Sequence, residues 1–276
     1  MLIKAVLAKS AFLFVLAASL AIPSRAAAQT TELQETPPSN LLAGASLPSP
    51  VVDRPVSWRL LVPNLISDQK RIWTFPARLT EGHDWIATTA VLGTTAGLIM
   101  LDPTEGAYFR RTSSLNGFNN IFSGSSTAVG IIVVPASLYA VGLIRKDSKM
   151  QRTALLAGEA VANGEILATV LKDVTERMRP AVIPTGGNYS DSWFKSNGSL
   201  FAGNGSFPSG HTIAAFSVAT IVARRYGNHR WIPYAAYGAA AIVGFSRLSL
   251  SAHFLSDVFM GGALGYFVSR FTVLRE

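Results

Sequence analysis

The chain has no cysteine, which excludes disulfides, thiolate metal sites and a thiol nucleophile. Charge is also scarce. Asp, Glu, Lys and Arg make up 14% of the 276 residues, against about a quarter in ordinary soluble domains, while 49% are hydrophobic. Helices drawn from such a sequence must be unusually apolar. Histidine occurs only at 83, 211, 229 and 253. No stretch alternates apolar and polar residues as a half-buried strand does, and no segment repeats. No basic face interleaved with aromatics argues for a nucleic-acid partner.

The first 28 residues have the pattern of an export signal. Lys4 and Lys9 precede an apolar run from Ala11 to Ile22, and Ala26-Ala27-Ala28 supplies a small-residue cleavage site before Gln29. The run is short for a membrane span, so cleavage is expected. Without Lys4, Lys9 and Arg25 the mature chain has 21 basic and 16 acidic residues, a net +5 suited to anionic substrates or a lipid surface. Residues 29–70 carry Pro37, Pro38, Pro48, Pro50, Pro55 and Pro63, and read as a proline-rich tether or arm. Residues 71–276 are left as the folded domain.

Six apolar stretches rich in Ala, Gly and Leu are closed by polar or Pro/Gly-containing connections: 85–101, 126–144, 153–172 running on toward Arg179, 210–226, 231–245 and 254–270. They predict an all-α, six-helix bundle.

Three constellations carry chemistry. In Ser246 to Asp257, His253 and Asp257 are four residues apart, so on a helix the carboxylate can accept a hydrogen bond from one imidazole nitrogen and leave the other free to attack. In Lys172 to Pro180, Lys172 and Arg179 are two helical turns apart and point the same way, with Pro180 ending the element. In Phe207 to His211, Ser209 is placed to cap a helix whose first N–H groups form an anion site with His211 at its mouth. Singly, each has a plainer explanation: a chance helical pair, a basic helix C-terminus favoured by the dipole, an ordinary capped start.

Together, Lys172 to Pro180, Pro208 to His211 and Ser246 to Asp257 resemble the three signature motifs of the type 2 phosphatidic acid phosphatase superfamily, shared with bacterial class A acid phosphatases and vanadium-dependent haloperoxidases. The resemblance covers about residues 85–270, and every signature position holds the family's usual residue. It implies a helical core with the active site at the helix ends. His253 would be the nucleophile that forms a phosphohistidine, Asp257 would orient it, and His211 would be the general acid and then the base. Lys172, Arg179, Arg247, Ser209 and the Gly210 backbone N–H would hold the phosphoryl oxygens. The implied reaction is metal-independent hydrolysis of a phosphomonoester, either a lipid phosphate or a small phosphate ester, outside the cytoplasm and with no cofactor. A vanadate-dependent haloperoxidase would use the same residues, and a non-catalytic anion- or lipid-binding module is the third alternative.

Other polar residues are assigned plainer tasks. Glu159, Asn163 and Glu165 are expected in an internal polar network, and Glu176 and Arg177 paired with one another or with solvent. The glycine-rich loop 181–207, with Trp193 and Phe194, is expected to form a lid. Asn188, Asn197 and Asn204 fit turns, and His83 and His229 have no partner set that suggests catalysis. Localisation is ambiguous. The signal favours an exported, periplasmic body against a membrane. An integral protein with six spans is the alternative, in which Arg145, Lys146, Lys149 and Arg152 conflict with a cleaved signal under the positive-inside rule.

Overall fold

The computed structural model describes residues 54–82, 84–195 and 203–275. The expected leader, the part of the arm before Arg54, His83 and Asn197 lie outside them. Every regular element among the described residues is helical. The six expected stretches appear as α3 (Trp85–Ile99), α6 (Gly124–Ile144), α7 (Ser148–Thr175), α8 (Gly210–Arg225), α9 (Trp231–Ser249) and α10 (Leu255–Phe267), the last continued by a π-helical turn over Val268–Val273. Four further helices join them: α1 (Leu61–Trp73), α2 (Phe75–Thr80), α4 (Asp102–Arg111) and α5 (Asn116–Ile121).

Helix α1 corrects the expectation of an irregular arm through residue 70. Pro63 is the third residue of that helix, inside the first turn, where a missing N–H breaks no helical bond. The helix is stapled to the middle of α7. Asn64 Nδ2 donates to Glu159 Oε1 at 2.7 Å, Gln69 Nε2 to Asn163 Oδ1 at 2.9 Å, and Asn163 Nδ2 to Asp68 Oδ2 at 3.0 Å. Glu159 and Asn163 therefore do form the expected polar network.

Helix α8 is the centre of the bundle, packed against α7, α9 and α10. Its Ile221 joins Leu156, Ala157 and Ala160 of α7 and Val273 in a buried cluster. Burying each of the larger side chains stabilises the fold by about 1.5–3 kcal/mol. Small residues set the spacing on the other side of α8: a methyl group on Gly261 of α10 would stand 2.7 Å from the Ser209 carbonyl oxygen. The neighbours α6/α7 and α8/α9 reverse direction through short turns. As a result, the starts of α6, α8 and α10 and the ends of α7 and α9 share one end of the bundle.

Asp147 caps α7 by accepting from the N–H groups of Lys149 and Met150 at 2.8 and 3.1 Å. The other end of α7 stops earlier than expected. Glu176 turns left-handed (φ 40°), and Arg179 is extended (φ −77°, ψ 145°). Lys172 is therefore helical and Arg179 is not, so the two do not share a helix face. This early stop releases the chain to pass through the site.

Candidate functional site

His253 precedes α10 and is 2% exposed. Its Nδ1 lies 2.7 Å from the backbone oxygen of Ser206. A carbonyl oxygen can only accept, so Nδ1 carries the proton and Nε2 keeps its lone pair. Asp257 Oδ2 is 3.6 Å from the same nitrogen, beyond hydrogen-bond distance. The orienting bond expected from Asp257 is thus made by a main-chain carbonyl. The carboxylate instead serves the frame: Oδ2 accepts from the Ser206 hydroxyl at 2.5 Å and from the Phe254 N–H at 2.8 Å. The geometry has a local cause, because Asp257 is the third residue of α10 and folds back onto its own N-cap.

Burial holds the His253 imidazole below its ordinary value. The charge on Asp257 opposes that shift, and the cations Arg179 and Lys172 reinforce it. Burial alone would raise the Asp257 carboxyl, but the Arg177 guanidinium, with His253 and Ser206, outweighs it and leaves the group below the usual carboxylate range.

Arg177 is the functional residue that sequence reasoning missed. Expected at the surface or against Glu176, it is 1% exposed, whereas Glu176 is exposed. One guanidinium nitrogen donates to Asp257 Oδ1 at 2.6 Å and to Ser256 Oγ at 2.8 Å, and the other donates to Asp102 Oδ2 at 2.6 Å. The plane sits between the rings of Trp193 and Phe254, 4.3 and 4.1 Å from their centroids. Arg177 thereby ties the chain after α7 to the start of α10 and to α4. The available signal was compositional: in a chain with so few charges, acids inside the helical body require a buried counter-ion.

The phosphate-binding candidates converge from four elements. A methyl group on Gly210, the first residue of α8, would stand 3.3 Å from Lys172 Nζ and 3.0 Å from Glu165 Oε2, so both charged groups lie at the mouth of α8. Glu165 therefore faces the candidate site rather than the network made by Glu159 and Asn163. Ser209 occupies the N-cap position, but its side chain caps no backbone N–H. Its hydroxyl accepts from Thr212 Oγ1 at 2.9 Å, and its N–H donates to the Asp257 carbonyl at 3.0 Å, docking α8 onto α10. His211 follows as the second residue of α8, half-buried.

Arg179 lies within electrostatic reach of Asp257, and Arg247 within reach of Arg179. Arg179 Nε makes a long bond, 3.4 Å, to the Asn204 oxygen. Arg247, near the end of α9 and 2% exposed, spends one guanidinium nitrogen on the Phe122 oxygen (2.7 Å), Thr127 Oγ1 (2.8 Å) and Ser246 Oγ (2.8 Å). Its place is fixed by the start of α6.

The loop expected as a lid is anchored in its described parts. Met178 and Ser206 donate backbone N–H groups to the Ser192 and Arg177 oxygens, each at 2.7 Å, and Trp193 is committed to Arg177. Phe194 alone of the two aromatics is exposed. Asn188 is a turn residue, its Oδ1 accepting from the Ser190 N–H at 3.0 Å. His229 lies exposed in the turn before α9.

Cations, helix-end amides and an imidazole with a free Nε2 thus lie near one another on an all-helical scaffold, an arrangement chemically able to hold an oxyanion. Residues 153–275, which contain all three motifs, match the model of the PAP2 superfamily over just under half of the chain. Over 85 residues it is 40% identical to the lipid A 1-phosphatase of Porphyromonas gingivalis, a stretch covering 30% of this chain and 18% of that protein. The chain thus matches under a fifth of that relative's length. A solved structure, the transmembrane PAP2-type phosphatidylglycerolphosphate phosphatase from Bacillus subtilis, aligns over 75% of this chain and 94% of its own, with 22% identity and a TM-score of 0.39.

Proposed function

We propose that the protein is a metal-independent phosphatase acting on lipid phosphates through a phosphohistidine, with its active site on the non-cytoplasmic side of a membrane. The observation that carries this reading is the bond from His253 Nδ1 to the Ser206 oxygen, which leaves Nε2 as a buried, neutral nucleophile among Lys172, Arg179 and Arg247. Nε2 attacks phosphorus as the ester P–O bond breaks, and His211 gives its proton to the leaving oxygen. His211 then takes a proton from water, the resulting hydroxide attacks phosphorus, the P–N bond breaks, and inorganic phosphate leaves. The three cations, the Gly210 N–H and Ser209 neutralise charge on the equatorial oxygens, where most of the acceleration of phosphoryl transfer arises.

The membrane placement is supported by α6, whose segment Thr127–Ile144 has a mean hydropathy of 2.1 with 11% of its residues buried. Among the described residues two helices, α6 and α7, are long and apolar enough to cross a bilayer, and the bent pair α3–α4 would make a third span. The turns that join α6 to α7 and α8 to α9, at the end of the bundle opposite the site, carry Arg145, Lys146, Lys149, Arg152, Arg224, Arg225 and Arg230, and the one acid within these two turns is Asp147. The positive-inside rule assigns that end to the cytoplasm.

The test is phosphate release by purified protein from lipid phosphates and from p-nitrophenyl phosphate, combined with trapping of labelled phosphoenzyme. His253→Ala should form no phosphoenzyme and His211→Ala should lose about 10²–10⁴-fold in kcat. Near-normal turnover by His253→Ala would sink the mechanism.

A further inference from the structure

Glu165 is a carboxylate at the candidate site that the proposed reaction leaves without a task. It is half-buried on α7, two turns before Lys172, so the two side chains leave the helix on the same face. The helix that meets them, α8, begins with Gly210. A methyl group there would lie 3.0 and 3.2 Å from the two Glu165 oxygens and 3.3 Å from Lys172 Nζ. An acid and a base therefore stand over a single α-carbon, beside the backbone N–H that is a candidate to hold a phosphoryl oxygen.

Among the described residues the charge acting on Glu165 is the ammonium of Lys172. The other acids nearby are placed differently: Asp257 is held by Arg177, and Asp173 acts on Lys172 from the next position of the same helix. Of the remaining titratable groups at this end, His211 begins α8, Arg179 follows the end of α7 and His253 precedes α10. Helix α6 has no titratable side chain. Helix α1 meets α7 through Glu159 and Asn163, and Asn163 is two residues, about 200° round the helix, from Glu165. The turn after α10, which carries Arg270, packs through Val273 on Ala157 and Ala160, more than one turn away.

Glu165 and a phosphoryl dianion thus compete for one ammonium. Once the anion takes Lys172, an ionised Glu165 is left beside it, and like charges a few ångströms apart in a partly buried site weaken binding by about tenfold or more. A protonated carboxyl does the opposite, because its O–H donates to a phosphoryl oxygen.

We propose that Glu165 couples anion binding to the uptake of one proton, so that the site grips phosphate while Glu165 is protonated and releases it when Glu165 ionises. The inference rests on the phosphatase reading, whose phosphate site it shares, but is separable from it by experiment. The proton comes from solvent with the incoming anion, resides on a Glu165 oxygen and is donated in a hydrogen bond to a phosphoryl oxygen. Lys172 keeps its protons and turns from Glu165 to the phosphate. Return of the proton to solvent restores the carboxylate and drives inorganic phosphate out.

The experiment titrates wild type, Glu165→Gln and Glu176→Gln in detergent micelles with inorganic phosphate and with sulfate, which stays a dianion throughout. Calorimetry on both sides of neutrality, in paired buffers of different ionisation enthalpy, reports affinity and the protons taken up. Hydrolysis of p-nitrophenyl phosphate is followed in parallel. Glutamine has the shape and donor of a protonated glutamate and cannot ionise. Glu165→Gln should therefore bind phosphate about tenfold or more tightly than wild type on the alkaline side, with the gap closing toward acid, and should take up fewer protons. Slower departure of phosphate should lower its kcat and KM together. Glu176→Gln, which removes an exposed acid just beyond the same helix, should behave as wild type. Parallel affinity profiles and equal proton uptake in wild type and Glu165→Gln overturn the proposal, since a merely structural effect shifts affinity without changing its pH dependence. Sulfate binding to wild type without proton uptake overturns it as well, even if Glu165→Gln fails to fold. Linked uptake without hydrolysis of the ester would uphold the role of Glu165 and remove the phosphatase reading instead. Binding of neither anion to wild type removes both.

Discussion

Arg177 illustrates how much one side chain can organise. It joins two carboxylates on different helices, Asp102 and Asp257, and both faces of its guanidinium are covered by aromatic rings. Removing it leaves two buried acids without their counter-ion, so Arg177→Leu should destabilise the protein by about 3–5 kcal/mol, measured by denaturant unfolding. Arg177→Lys keeps the charge but cannot fork between the two acids, and should recover only part of the stability and kcat. Because Arg177 holds Asp257, which in turn binds the hydroxyl of Ser206 whose carbonyl orients His253, kcat should fall more than KM rises.

His253 makes a second prediction at this scale. Its imidazole titrates near 6.5 in the unfolded chain and lower in the fold. Between those two values the unfolded chain binds the extra proton, so stability rises with pH through that window and is lost on acidification. Urea midpoints should therefore fall below about pH 6.5, and the acid limb of kcat/KM should lie below that pH as well. An acid limb well above it would contradict a buried, neutral nucleophile.

At the scale of elements, close approach does the positioning. Ser206 and Ser209 reach His253 and Asp257 because α8 lies tightly on α10, and Gly261 is where the two backbones nearly touch. Gly261→Val should force them apart, at a cost of about 1–3 kcal/mol in unfolding measurements, with a larger proportional loss of turnover than of stability. A surface substitution such as Asn228→Ala, at the far end of α8, should change neither.

The helix ends also mark where sequence patterns lose their force. All six apolar stretches were visible as helices, because their periodicity and flanking turn residues are local. The stop after Thr175 was not: no glycine or proline stands at Glu176, and the left-handed turn there is held by tertiary contacts such as the Phe194 N–H to the Thr175 oxygen at 3.0 Å. Helix α1 was hidden by a proline that is harmless in a first turn, and α4 by its polar composition.

For the molecule as a whole, the site and the basic connections occupy opposite ends of one bundle, and the lack of native cysteine makes that arrangement directly measurable. A single cysteine at Ser190, exposed beside the site, should react with a membrane-impermeant maleimide on intact cells. One at Asn228, exposed at the basic end, should react only after permeabilisation. Carbonate extraction should leave the protein in the membrane. Labelling in the reverse order, or release by carbonate, would remove the proposed placement.

The sequence alone determined the helical class and the chemical types at the site, since apolar periodicity and the three motifs are properties of short stretches. It placed His253, His211, Lys172, Arg179 and Arg247 together as candidates. Only the tertiary structure decided which partner serves which: the carbonyl of Ser206 rather than Asp257 holds the imidazole, Arg177 holds Asp257, and Glu165 looks into the site. Those pairings join residues up to 80 positions apart. Burial leaves such polar groups no water to turn to, so each must find its partner in whatever element the packing brings beside it.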